Sequence, residues 1–367
     1  MDYRTDERIV LTLDAGGTNF VFSAIQGCRE IIEPVRLPAH ANDLQKSLQS
    51  LSDGFHQVKN KLSAKPVAIS FAFPGPADYP RGIIGDLGNL PAYRGGVALG
   101  PMLEAEFDLP VFINNDGDLY AYGEAIDGFL PKVNSRLREY GTPRQFHNLF
   151  AVTLGTGFGG GLVSNNSLYI GDNAAACEIW ITRNKLHPDS FAEEGASIRA
   201  VRRVYAEHAD ISFDDAPEPK DIYAIATGEK RGNREAAVKA FDELGEVVGD
   251  ALANAVTLFD SLIVIGGGLS GAHALFLPAV VREMNSKLKT RGGESVDRLV
   301  QNVYNLEDEQ QCQSFLKGEV TTITVPGTEE LVKYDPEKRI GVGVASLETS
   351  QAVSVGAYAF ALDNQYK

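Results

Sequence analysis

One local pattern occurs twice in this chain, and a duplicated strand, glycine turn and strand restricts the available folds more than any other feature. Ile9 to Asp14 is an apolar run, Gly16 and Gly17 turn the chain, and Phe20 to Ile25 is a second apolar run. The segment Phe150 to Val163, FAVTLGTGFGGGLV, repeats that order, again with a threonine in the turn. Glycine there permits backbone conformations closed to other residues. The repeat predicts two related halves, each bringing one glycine hairpin to a shared cleft. Length agrees, because 367 residues are more than one hydrophobic core usually serves.

The rest of the chain alternates strands and helices. Leu44, Leu48, Leu51, Phe55, Val58 and Leu62 recur at the spacing of one helix face, with Asn42 or Asp43 as the N-cap. Pro66 to Phe73 reads as a buried strand stopped by Pro74-Gly75-Pro76. Val111 to Asn114 is a short strand, and Asp118 to Phe129 a helix. Further on, an amphipathic stretch from Glu235 to Phe259 precedes a strand at Leu262 to Ile265, a glycine turn, and a helix from about Leu275 to Leu288. Such alternation predicts an α/β fold whose ligands sit beyond the carboxyl ends of strands. Val320 to Ser354 has strand-like composition that pattern does not place, and Val355 to Leu362 reads as a closing helix.

Composition narrows the function. The formal charge of -15 argues against nucleic-acid or acidic-membrane partners, which need a basic footprint. An anionic ligand would then have to be held by backbone N–H groups and a divalent metal. Cys28, Cys177 and Cys312 are widely spaced, with no Cys-x-x-Cys pair, so a disulfide framework is not expected and a reducing compartment fits. No apolar leader or membrane-length run occurs, which predicts a cytoplasmic protein.

Four motifs could carry chemistry. In Asp14-Ala15-Gly16-Gly17-Thr18, a carboxylate at a strand end can hold a hydrated divalent metal while the glycines admit phosphate oxygens. The same residues also suit an ordinary hairpin turn. Gly155-Thr156-Gly157-Phe158-Gly159-Gly160-Gly161 is denser in glycine than a turn requires, which suggests close ligand approach. Gly266-Gly267-Gly268-Leu269-Ser270-Gly271 stands between a strand and a helix, where it could seat phosphates or a flat ring, or simply pack tightly. Asn114-Asn115-Asp116 ends a strand with a carboxylate able to take a proton from a hydroxyl, although an Asp followed by Gly is more often just a turn. Trp180 could stack on a ligand face, but a lone Trp after a strand more often belongs to the core. The histidines, His187 included, show no ligand spacing.

In order, the segments DAGGTN, FAFPGPAD, GNLP, INNDGDLYAYGE, LGTGFGGGLV, CEIW and IGGGLSG resemble the ROK family of sugar kinases and repressors across nearly the whole chain. The resemblance implies a two-lobed, actin-like ATPase (ribonuclease H-like) fold with a central ligand cleft. It implies an ATP-dependent kinase acting on a hydroxyl of a hexose or hexose derivative, with Mg²⁺ bound through water near Asp14. Asp14, Gly16, Gly17 and Thr18 resemble the first phosphate hairpin, Gly155, Thr156 and Gly157 the second, and Gly267, Gly268 and Ser270 the adenosine-side turn. Asp116 resembles the general base, and Gly75, Asn89, Asn115, Glu178 and Glu193 the sugar-side residues, with Glu194 an alternative register for Glu193. Ile181 stands where the family commonly has histidine and the zinc-loop cysteines are missing, so no structural zinc is expected and the identity of the sugar is left open.

Residues 1–117 with about 356–367 are expected to form the N-terminal lobe and 118–355 the other. A homodimer is the default the family suggests. The alternative reading is a sugar-binding or regulatory relative without kinase activity. A repressor would need a DNA-binding module ahead of the first hairpin, where eight residues precede Ile9.

Overall fold

The structure, a computed structural model, describes residues 2–75, 77–85 and 90–365. The chain divides into two compact units, Met1–Gly128 with Gly161–Ala176 and Ser346–Lys367, and Phe129–Gly160 with Cys177–Ala345. Among the described residues no helix is long and apolar enough to cross a membrane.

The first unit opens with the expected hairpin, β1 (Val10–Ala15) and β2 (Asn19–Gln26). Two short strands, β3 (Arg29–Glu30) and β4 (Val35–Pro38), pair with the other edge of β2. Helix α1 (Leu44–Lys61) starts where Asp43 accepts the Lys46 N–H at 3.1 Å, so Asp43 rather than Asn42 is the cap. Its Gly54 leaves room for Phe22, whose ring lies 2.2 Å from where a Cβ would stand. Phe55 then meets Phe22 and Phe107 edge-on in a fully apolar core. After β5 (Ala68–Ala72) come a small ribbon, β6 (Ala77–Asp78) with β7 (Ile83–Ile84), then α2 (Leu99–Phe107), β8 (Val111–Asn114) and α3 (Asp116–Ile126). Helix α3 begins at Asp116, ahead of the expected Asp118, because Asn115 accepts the Gly117 N–H at 2.8 Å and caps it. The sheet order is β3–β2–β1–β5–β8, with β1, β5 and β8 parallel.

The second unit starts with α4 (Phe129–Tyr140) and β9 (Leu149–Leu154); β10 (Phe158–Ser164) then carries the chain past Gly160 into the first unit, followed by β11 (Ser167–Tyr169). Helices α5 (Ile198–Ala209), α6 (Pro219–Thr227) and α7 (Arg234–Phe259) lead to β12 (Leu262–Gly266) and α8 (His273–Met284). Helix α8 stops short of the expected Leu288 because the Asn285 side chain bonds both backbone groups of Val303, at 2.8 and 3.0 Å. An exposed ribbon of β13 (Lys287–Lys289) and β14 (Ser295–Asp297) follows, then β15 (Asn302–Asn305) and α9 (Glu309–Lys317). The unplaced tail resolves into a second exposed ribbon, β16 (Thr321–Thr324) with β17 (Leu331–Tyr334), and a buried strand, β18 (Arg339–Val344), inserted in parallel between β12 and β15. The sheet order β11–β10–β9–β12–β18–β15 reproduces that of the first unit, hairpin first and parallel strands after, as the sequence repeat predicts.

The closing helix α10 (Thr349–Asn364) starts six residues before the expected Val355 and packs along α3. A Cβ on Gly123 would stand 1.9 Å from the Ala352 carbonyl, and one on Gly356 1.9 Å from that of Leu119, so the two backbones touch through glycine. This contact draws α3 into the first unit, which runs to Gly128 rather than to residue 117 and takes up the chain again at Ser346 rather than 356.

Candidate active site

In the first unit the register brings strand ends together. Asp14 lies opposite Ala72 and Ala72 opposite Asn114, so β1, β5 and β8 end on one row. Asp14, Gly75 and Asp116 all follow at this carboxyl edge and all are exposed. In the turn after β1, Gly16 donates its N–H to Asn19 O at 3.1 Å and a Cβ there would strike the same oxygen at 2.9 Å. The space beside Gly17 is open, and the N–H groups of Gly17 and Thr18 donate to no carbonyl among the described residues. Two outward amides beside a carboxylate suit a metal-bound phosphate.

Asp116 stands at the first turn of α3, where one carboxylate oxygen accepts the Gly117 N–H at 2.9 Å. Among the described residues its other oxygen accepts no hydrogen bond. Asn115 spends its oxygen on the helix cap and keeps its amide donors. Beside them, Tyr79 donates its hydroxyl to Phe73 O at 3.0 Å and closes the space next to Gly75, where a Cβ would meet that hydroxyl at 2.9 Å. Asn89 lies outside the described residues.

In the second unit β9 and β12 are parallel neighbours with Thr153 opposite Gly266, which sets their two glycine turns side by side. Leu269 donates to Leu154 O at 3.0 Å. Gly267 has φ +84° and a Cβ on it would lie 2.4 Å from the same Leu154 oxygen, so glycine is required there. Ser270 gives its hydroxyl to Gly267 O at 2.7 Å, which shapes the turn and leaves its oxygen as an acceptor. Thr156 and Gly268 remain exposed at the tips.

Glu178 and Glu193, the glutamates expected on the sugar side, lie at neighbouring turns, Glu178 just before Ile179–Ile181 and Glu193 within Ala192–Glu194, and a bridge between Arg183 and Phe191 joins the turns. Glu193 accepts the Phe158 N–H at 3.0 Å, and its carboxylate fills the place of a Gly157 Cβ. Glu194 instead pairs with Arg203 at 2.6 Å and with Arg199. Burial alone would raise its carboxyl pKa, but the two guanidinium groups hold it below the ordinary value. Of the two, Glu193 is thus the one beside the glycine hairpin, and Glu194 is the one engaged by arginines. Trp180 is neither free nor fully buried: it packs edge-on against Phe191 at 5.7 Å and donates its indole N–H to Glu178. Ile181 is 61% exposed beside them.

Sequence reasoning missed the bonds from Phe158 to Glu193 and from Trp180 to Glu178. The first spans 35 residues and carries no local signal; the second, between residues two apart, could have been suspected from an indole donor beside a carboxylate. Among the described residues no group of three or more His, Cys, Asp or Glu could hold a metal ion.

Two sheets of the same order, each opening on a glycine hairpin and each carrying turns at its strand ends, define an actin-like ATPase fold. A crystal structure of a glucokinase from Parabacteroides distasonis superposes with a TM-score of 0.91 at 55% identity, covering 99% of this chain and 100% of that one. The N-acetyl-D-glucosamine kinase of Photobacterium profundum is 27% identical over 282 residues, 72% of this chain and 85% of its own length. A glucokinase from Halalkalibacterium halodurans is 26% identical over 301 residues, 75% and 84% of the two chains. The sequence profile of the ROK family matches residues 10–308, and this chain belongs to that family.

Proposed function

We propose that the protein transfers the γ-phosphoryl group of ATP to a hydroxyl of a hexose or hexose derivative, with Asp116 as the general base. The observation that carries this reading is the row through Asp14, Ala72 and Asn114, which puts a metal-competent carboxylate and an exposed Asp116 on one sheet edge. The sequence likeness to a glucokinase at 55% identity and to hexosamine and glucose kinases supports it.

Asp116 takes the acceptor proton on the oxygen not engaged by Gly117, and Asn115 offers amide donors to a neighbouring hydroxyl. Glu178, oriented by Trp180, and Glu193 accept further sugar hydroxyls. The amides of Gly17, Thr18 and Thr156 receive phosphate oxygens, and the Gly267–Ser270 turn lies on the adenosine side. Asp14 fits a hydrated Mg²⁺, because one exposed carboxylate with phosphates and water is how that ion is commonly held; bound there, it would shield the charge of the phosphates. A cytoplasmic homodimer completes the reading, consistent with the wide spacing of Cys28, Cys177 and Cys312 and open to a sizing measurement.

The test is Asp116→Asn in a coupled ADP-release assay over hexoses, N-acetylhexosamines and ketoses. Loss of a general base should lower turnover about a hundredfold or more on the best sugar. Near-parental turnover would remove Asp116 from that role. Failure of the parent to release ADP with any sugar in the panel, despite sugar binding, would instead favour a non-catalytic sugar-binding protein.

A further inference from the structure

Beside Asp14 the first unit holds a pocket of about 540 Å³, and the reading above uses only its rim. One row of the sheet crosses it: Asp14 lies opposite Val21, and Val21 opposite Arg36. Opposed residues point to the same face, so Asp14 and Arg36 flank Val21 on one surface. Two strand spacings separate them, about 10 Å, which an extended arginine side chain laid over Val21 can largely span. Arg36 is exposed, and its guanidinium forms no ion pair or hydrogen bond with any described residue. Arg29, the other cation at this pocket, lies opposite Gln26, out of phase with the Ile25 and Glu30 pair, and so starts from the other face.

The opposite wall is the start of α10, with Glu348 before it and Ser350 and Ser354 on it. Ser23 also lines the pocket, 4% exposed, and its hydroxyl has no hydrogen-bond partner among the described residues. Carboxylates, a guanidinium and hydroxyls together complement a metal-bound phosphate better than a bare anion or a bare cation. None of the three glycine turns, Asp14–Thr18, Gly155–Gly157 and Gly266–Gly271, contains a lysine or arginine. A polyphosphate on this acidic chain would therefore find amides there but no positive side chain.

We infer that the pocket receives phosphate oxygens of the metal–nucleotide and that Arg36 is the side chain that binds them. The inference rests on the kinase reading. In that reaction the bond from the γ-phosphorus to the bridging oxygen breaks, a bond from the sugar oxygen forms, ADP leaves, and the hydroxyl proton passes to Asp116. Arg36 makes and breaks no bond; it offsets negative charge on the phosphates throughout.

The experiment compares the parent, Arg36→Gln and Arg36→Lys. Calorimetric affinity for Mg²⁺ with the non-hydrolysable analogue AMP-PNP is measured together with kcat and KM for ATP and for the best sugar. Losing a charge-assisted hydrogen bond should weaken analogue binding in Arg36→Gln by roughly tenfold to a hundredfold. kcat/KM for ATP should fall at least as much, KM for sugar should hold, and Arg36→Lys should recover part of the loss. Unfolding temperatures should match, since the side chain is exposed. Analogue affinity within about twofold of the parent, or equal losses toward sugar and nucleotide, would overturn the assignment. A parent that turns over no sugar would defeat the kinase reading, while the analogue titration would still judge Arg36.

Discussion

Glu193 and Glu194 are adjacent in sequence and differ in everything their neighbours do to them. Glu194 is held ionised by Arg203 and Arg199, with a pKa below the ordinary glutamate value. A depressed folded-state pKa contributes stability above the unfolded value of 4.5, and that contribution is lost as pH falls through the folded value. Glu194→Gln should therefore flatten the decline of the unfolding midpoint below roughly pH 5 while leaving the ordering above it intact. Glu193 is bound to a backbone amide instead, and Glu193→Ala would strand the Phe158 N–H. Urea unfolding should show a loss of about 1–3 kcal/mol, and Glu193→Gln, which keeps an acceptor, should recover most of it. The motif order named Glu193 and left Glu194 as an alternative register, because what separates their surroundings is Phe158, Arg199 and Arg203, whose side chains and amides meet the two glutamates only after folding.

At the scale of elements, the hairpins were legible because glycine in a turn and alternating apolar runs are local signals, and β1, β2, β9 and β10 lie where those signals stand. Helix α10 was read too short. Its first residues, TSQAVS, include weak helix formers, and their helical state follows from packing along α3 more than from propensity. Strand β18 was recognised as strand-like but not placed, since its partners β12 and β15 were made long before it in the chain and periodicity carries no partner information. The α3–α10 contact gives a sharp test. Gly356→Ala puts a methyl 1.9 Å from the Leu119 carbonyl. Such overpacking should cost about 1–3 kcal/mol or more, measured by thermal unfolding, and the helices must separate to relieve it. Gly17→Ala, beside open space, should cost far less.

For the whole molecule, the duplicated sheet, the acidic charge and the family were readable from the sequence, whereas the unit boundaries were not. They follow α3 to α10, a pairing between residues more than two hundred apart. Long-range sheet order also predicts what a cut chain does. Arg291 is exposed in the tip joining β13 and β14, away from both main sheets. Brief trypsin treatment should nick there first, and the fragments should elute together and keep ADP-releasing activity, because β15 and β18 remain locked into the sheet beside β12. Separation of the fragments without denaturant would contradict this.

The same pairing orders events in the cell. Synthesis proceeds from the amino end, so α3 emerges from the ribosome long before its covering helix exists, and the seam it presents, with Leu119 and Gly123 on it, stays uncovered until translation passes Thr349. A message truncated just upstream of that codon would yield a polypeptide with every candidate catalytic group in place and an unsealed helix, fit for chaperones and proteases rather than for metabolism.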